Sequence, residues 1–201
     1  MLDLTPFFVG FQRRLGNIIR FNTRPRTQTE TVAAHSFYVA LYALILAIIV
    51  EERGKKIDHK KTLVRALLHD LEECIAGDVM TKMKQDPDLK DAYDKVSKLA
   101  AYTALSGLPE NIRMYLFSEW SNHKEGDEGW LVNVADDLSG VIYCKEQINL
   151  GNKYFIQIGE DYLTRIKKKT ENTILSDLYD SMKKSFETDS ETKLDSYAPE
   201  R

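Results

Sequence analysis

The chain has 201 residues, with 28 basic and 31 acidic side chains and a formal net charge of −3. That length allows one domain with a substantial core, and the charge balance removes any global electrostatic argument for nucleic-acid binding. Two cysteines, Cys74 and Cys144, are too few for a disulfide framework and read as reduced and buried. The start, Met-Leu-Asp-Leu-Thr-Pro, lacks the basic and apolar pattern of a signal peptide.

In chain order, residues 3–20 form a first expected helix, with Phe7, Phe8, Phe11, Leu15, Ile18 and Ile19 on one broad face. Residues 21–30, polar and holding Pro25, read as a loop. Residues 31–53 form a strongly apolar helix stopped near Gly54. Its run from Phe37 to Val50 is short for a membrane span and fits a buried helix. Asp58 caps a third helix expected to continue to about Cys74, and Gly77-Asp78 makes a turn. Asp86-Pro87 and Leu108-Pro109 open helices over 87–106 and 109–121. Residues 122–128 are a polar loop. Trp130 to Leu150 is helical, with Leu131, Val134, Leu138, Val141 and Ile142 inward and Gly151 as its stop. Helices over 153–169 and 171–187 follow. The polar tail frays from Thr188, so residues 1–187 form one all-α domain and 188–201 a disordered tail.

Ligand-type residues interrupt three of these apolar helices. His69-Asp70 follows Ala66-Leu67-Leu68, where an ionised carboxylate is costly unless paired or metal-bound. His35 stands one and two turns before Val39 and Ala43; taken alone it reads equally well as a core histidine. Asp136-Asp137 breaks a Val/Ala/Leu run, with one carboxylate facing the core and the other solvent. Two His and two Asp from three helices make a divalent-metal site suited to hydrolysis. Glu73, one turn beyond His69-Asp70, is placed as general acid or base, whereas Glu72, about 100° around the helix, reads as a solvated charge. Asp78 could hold a substrate hydroxyl or a water, or be a plain turn residue.

Arg13, Arg14, Arg20, Arg24 and Arg26 crowd the first 26 residues, as an anionic substrate would require, although surface charge accounts for most of them. Lys82 and Lys84 are similar candidates. Phe21 offers an aromatic face for a base, or is a core aromatic.

Three stretches together resemble the HD-domain phosphohydrolases, and within them the YfbR-like 5'-deoxynucleotidases. They are Thr29-Glu30-Thr31-Val32-Ala33-Ala34-His35-Ser36; His69-Asp70-Leu71-Glu72-Glu73 with Gly77-Asp78; and Ala135-Asp136. The resemblance covers roughly residues 7–152 and implies an HD-domain helical bundle. It implies His35, His69, Asp70 and Asp136 as ligands of one divalent transition metal (Mn, Co, Fe, Ni or Zn). Asp136 is preferred to Asp137 because the family's Ala-Asp falls there. It further implies Glu73 and Asp78 as catalytic carboxylates, and Arg20, Phe21, Asp78, Thr81 and Lys84 as substrate contacts. The substrate would be a deoxynucleotide and the protein a cytoplasmic homodimer, with neither nucleic acid nor membrane as partner. The expected reaction splits a 2'-deoxynucleoside 5'-monophosphate into deoxynucleoside and phosphate. The rivals are a triphosphohydrolase releasing tripolyphosphate and a nucleotide-binding protein without turnover. Two departures bear on substrate choice: Gln28 stands where the branch has Arg, and Val79-Met80-Thr81-Lys82-Met83-Lys84 lacks the prolines usual after Gly-Asp.

Overall fold

The computed structural model describes residues 3–84 and 86–188, and these are helical, with a lone antiparallel bridge between Ile19 and Thr31. The first expected helix is instead two short pieces, α1 (Thr5–Phe8) and a 3-10 turn (Phe11–Gly16). Gly10 separates them with extended backbone, and a Cβ there would stand 2.9 Å from the Phe7 carbonyl oxygen. A continuous helix was the expectation because the apolar spacing alone is helical; the break leaves Phe8 63% exposed.

The central helix α2 (Val32–Glu52) starts where Thr31 Oγ1 accepts from Ala34 N at 3.2 Å, and it ends before Gly54, whose φ is +95°. It packs between α3 (His59–Leu68) and α8 (Gly126–Asn149). Val39, Ala43, Leu46, Ala47 and Val50 meet Ala66 of α3 and Leu131, Val132, Val134 and Ala135 of α8. Each such Val or Leu contributes about 1.5–3 kcal/mol on full burial. The run from Phe37 to Val50 lies within a helix of 21 residues, long and apolar enough to cross a membrane. Its inner face is the core of the bundle, while Phe37, Leu41, Ile45 and Ile48 follow one another along its exposed face.

Asp58 caps α3 by accepting from Lys61 N at 2.9 Å, but α3 stops at Leu68 rather than running to Cys74. Residues 69–72 are a tight turn, and α4 (Glu73–Ala76) resumes after it. The bonds Leu71 N to Leu68 O and Cys74 N to Leu71 O span three residues instead of four, so the side chains rotate out of the α-helical register. A short α5 (Thr81–Lys84), unforeseen in sequence, precedes α6 (Lys90–Ala104) and α7 (Glu110–Ser121). Leu71, Cys74, Ala101, Ala104, Leu105 and Trp120 form a second core beneath the turn. Helix α8 begins at Gly126, before the expected Trp130, and Gly151 (φ +85°) follows its end. A 3-10 turn (Lys153–Phe155) leads into α9 (Ile156–Thr170), and α10 (Leu178–Glu187) begins later than expected because residues 171–177 are turns. A third core joins Leu138, Val141 and Cys144 of α8 to Phe155 and to Tyr162, Leu163 and Ile166 of α9. Cys74 and Cys144 are free and buried. From residue 189 the expected tail lies outside the described residues.

Candidate active site

Three elements bring four ligand-type side chains to one point. His35 lies one turn into α2, fully buried; His69 and Asp70 open the tight turn after α3; Asp136 lies on the inner side of α8. His35 Nε2 is 3.3 Å from His69 Nε2, 3.2 Å from Asp136 Oδ1 and 3.6 Å from Asp70 Oδ2, and His69 Nε2 is 3.2 Å from Asp70 Oδ2. Ligands held about 2.0–2.2 Å from one ion stand about 3–3.5 Å from each other, so this spacing fits a metal. The far ring nitrogens agree with that. His69 Nδ1 lies 2.7 Å from the Ala66 carbonyl oxygen, which only accepts, so Nδ1 keeps a proton and Nε2 is the nitrogen turned to the cluster, free to bind a metal once its own proton leaves. His35 Nδ1 meets Ser139 Oγ at 3.0 Å.

The charges also call for a cation. Burial resists a charge on His69, but Asp70 and then Asp136 outweigh it and lift the ring to about 9. His35 goes the other way, pushed down by burial and by Arg20. Burial would raise Asp70 and Asp136, yet the imidazoles hold both well below the usual carboxylate range. Without a metal, a proton supplies the positive charge that two carboxylates demand; a metal takes its place by displacing it.

Beside this cluster Glu73 is buried and accepts from Lys84 Nζ at 2.7 Å. Burial and the charge on Asp70 push its carboxyl up to about 9 against the pull of Lys84. Glu73 and Asp70 in turn strengthen the charge on Lys84. Asp78 follows Gly77, whose φ of +76° and ψ of 168° suit glycine alone. Its Oδ2 accepts from Phe21 N at 2.9 Å and its carbonyl from Asn22 Nδ2 at 3.1 Å, which ties this loop to residues 20–22. Arg20 is buried and paired with Glu30 at 2.5 Å. Phe21, at a positive φ of 53°, stacks on Tyr143 with centroids 5.3 Å apart and meets Phe155 and Tyr162 edge-on. The side chain of Thr81 lies outside the described residues.

Several residues here escaped the sequence reading. Glu72 is not a solvated charge: it is 6% exposed and accepts from Trp120 Nε1 at 2.9 Å. The helical wheel placed it outward, but the tight turn has lost the α-helical register on which the wheel depends. His123, in the expected polar loop, is packed on Trp120 and pushed down to about 4 by burial. Asp137 is 2% exposed and meets Lys169 Nζ at 2.5 Å and Arg165 Nε at 3.2 Å. No spacing signal links residues so far apart in sequence. A shallow depression by Lys167, Glu171 and Tyr179 contains none of these groups.

A family model described as 5'-deoxynucleotidase YfbR-like matches residues 7–189. The chain belongs to the YfbR-like 5'-deoxynucleotidase family. A 5'-deoxynucleotidase of Yersinia pseudotuberculosis is 30% identical to it over 170 residues, covering 83% of this chain and 82% of the relative. Two solved structures share the fold. An HD-domain phosphohydrolase of Listeria innocua superposes with a TM-score of 0.77 at 20% identity, covering 88% of this chain and 86% of that one. An HD phosphohydrolase of cyanophage S-2L, solved with dA and one catalytic zinc ion, superposes at 0.62 and 17% identity, covering 88% and 92%. The all-α HD-domain expectation therefore holds, and the family named from three motifs is the family that residues 7–189 match.

Proposed function

We propose that this protein is a metal-dependent 5'-deoxynucleotidase that converts 2'-deoxynucleoside 5'-monophosphates and water into deoxynucleosides and phosphate. The observation that carries the reading is the convergence of His35, His69, Asp70 and Asp136, with donor atoms 3.2–3.6 Å apart, in a YfbR-like chain. These four residues would hold one divalent ion, whether Mn, Co, Fe, Ni or Zn. Such an ion, when bound, lowers the pKa of water and neutralises phosphate charge. Glu73, buried and raised to about 9, holds a proton at its carboxyl that the leaving 5'-oxygen needs, and Lys84 steadies the carboxylate left behind. Asp78 orients the sugar from the loop joined to Phe21, and Phe21 and Arg20 border the base and the phosphate.

The family relationship supports a deoxynucleotide as substrate: the Yersinia relative is named for that activity, and the cyanophage structure contains dA. Two free buried thiols suit the reducing cytoplasm. A homodimer would cover the apolar stripe Phe37, Leu41, Ile45 and Ile48 of α2.

The reading is tested by product analysis. Metal-stripped protein resupplied with Mn or Co is offered deoxynucleoside mono-, di- and triphosphates. Nucleoside and orthophosphate from monophosphates is the expected result. Tripolyphosphate from a triphosphate would replace the reading with a triphosphohydrolase, and no product would leave a binding role. Glu73→Gln should retain metal and lose at least about a hundredfold in turnover, the lower end of what a general acid contributes.

A further inference from the structure

The cations that border the site are not equally available to an anion. Arg20 is buried and spends its charge on Glu30 at 2.5 Å. Lys84 is already engaged, donating to Glu73 at 2.7 Å. On α9, Lys169 reaches three acceptors: Asp137 Oδ2 at 2.5 Å, Asn133 Oδ1 at 2.6 Å and the Asn133 carbonyl at 2.8 Å. An ammonium has three N–H donors, so Lys169 is used up, and the single charge of Asp137 faces two cations, Lys169 and Arg165.

Arg165 is then a surplus charge. Its Nε stands 3.2 Å from Asp137 Oδ1 without the geometry of a hydrogen bond. Beyond Asp137 and Tyr162 its guanidinium has no hydrogen-bond acceptor among the described residues, and 38% of the side chain is exposed. Yet the group is held in place: its Cζ lies 3.9 Å from the Tyr162 ring centroid. Tyr162 is itself wedged against α8, packing where Gly140 lacks a side chain, and it meets Phe21 edge-on. The stacked guanidinium is thus fixed next to the helix turn that carries Asp136, close enough to feel its charge, and its five donors leave some for an anion beyond its Asp137 and Tyr162 contacts.

We infer that Arg165 contacts the phosphate of the substrate, entering from α9 on the Asp136 side of the site. The inference rests on the reading of the protein as a phosphohydrolase and adds a residue outside the sequence motifs. It also redistributes the work: Arg20, already paired with Glu30, shapes the wall, while Arg165 supplies the charge that is free to be spent.

The test uses the full-length, metal-loaded protein and calorimetric binding of two probes, inorganic phosphate and unphosphorylated deoxyadenosine. In Arg165→Gln, phosphate should bind at least tenfold more weakly while deoxyadenosine binding stays within twofold; KM for the monophosphate should rise by a similar factor. Arg165→Lys, which keeps the charge without the fork, should recover part of the phosphate affinity and serves if the glutamine variant does not fold. Unchanged phosphate binding in either variant overturns the inference. So does a parallel loss of both probes, which would mean a packing role, and so does a parent protein that binds no phosphate. A parent that binds phosphate through Arg165 but hydrolyses no deoxynucleotide would instead overturn the proposed function and leave the phosphate contact standing.

Discussion

Asp136 and Asp137 are neighbours in sequence and opposite in environment. Asp136 lies 3.2 Å from His35 Nε2, whereas Asp137 turns about 100° around the same helix and meets Lys169 and Arg165 of α9. Their substitutions should separate cleanly. Asp136→Ala should lose bound metal, read by plasma emission spectrometry of the purified protein. Asp137→Ala should keep the metal and lose about 1–2 kcal/mol of stability, since two partly exposed cations are left without their carboxylate. A melting temperature a few degrees lower would register that loss. Metal loss from Asp137→Ala with retention in Asp136→Ala would reverse the assignment. At this scale the histidines and aspartates were readable, because a ligand-type residue inside an apolar helical stretch stands out. Glu72 and Arg165 were not: one depends on a tightened turn and the other on a contact between helices.

The elements matter through how closely they approach. Helix α9 lies against α8 because Gly140 leaves room, a Cβ there falling 2.4 Å from the Tyr162 ring, and against α10 because Gly159 does, a Cβ there falling 2.3 Å from Phe186. Gly140→Ala should therefore cost about 1–3 kcal/mol in a urea titration, the range for overpacking a filled core. It should also weaken phosphate binding, because the displaced ring carries Arg165. An unaltered midpoint and unaltered phosphate affinity would contradict the role given to this contact. The break after Leu68 matters in the same way. The turn at 69–72 brings His69, Asp70, Glu72 and Glu73 to face inward or toward the site, more than one side of a straight helix could present.

Across the whole molecule, α2 supplies both part of the core and an exposed apolar stripe. Its inner face packs on α3 and α8; its outer face exposes Phe37 at 61%, Leu41 at 41%, Ile45 at 45% and Ile48 at 42%. A contiguous stripe of this kind on a globular chain marks an interaction surface. The parent should sediment as a dimer, and Leu41→Lys with Ile45→Lys should sediment as a monomer that still binds metal, because neither residue touches the core or the His/Asp cluster. A monomeric parent, or a dimer that survives both lysines, would remove the stripe from that role.

Amino-acid sequence by itself determined the helical class, the position of the capped helices and the His and Asp residues offered for the candidate site, since periodicity, caps and polar interruptions are local signals carried within one turn or two. Thr31, Asp58, Gly54 and Gly151 mark their helix ends in the structure as their chemistry requires. Tertiary structure decided the rest. It split the first helix at Gly10 and the third at Leu68, buried Glu72 against Trp120, and set Arg165 over Tyr162. The Glu72–Trp120 pair joins residues 48 apart in sequence, where burial and close packing outweigh local preference, and the other three outcomes, though near in sequence, follow no periodicity that could announce them.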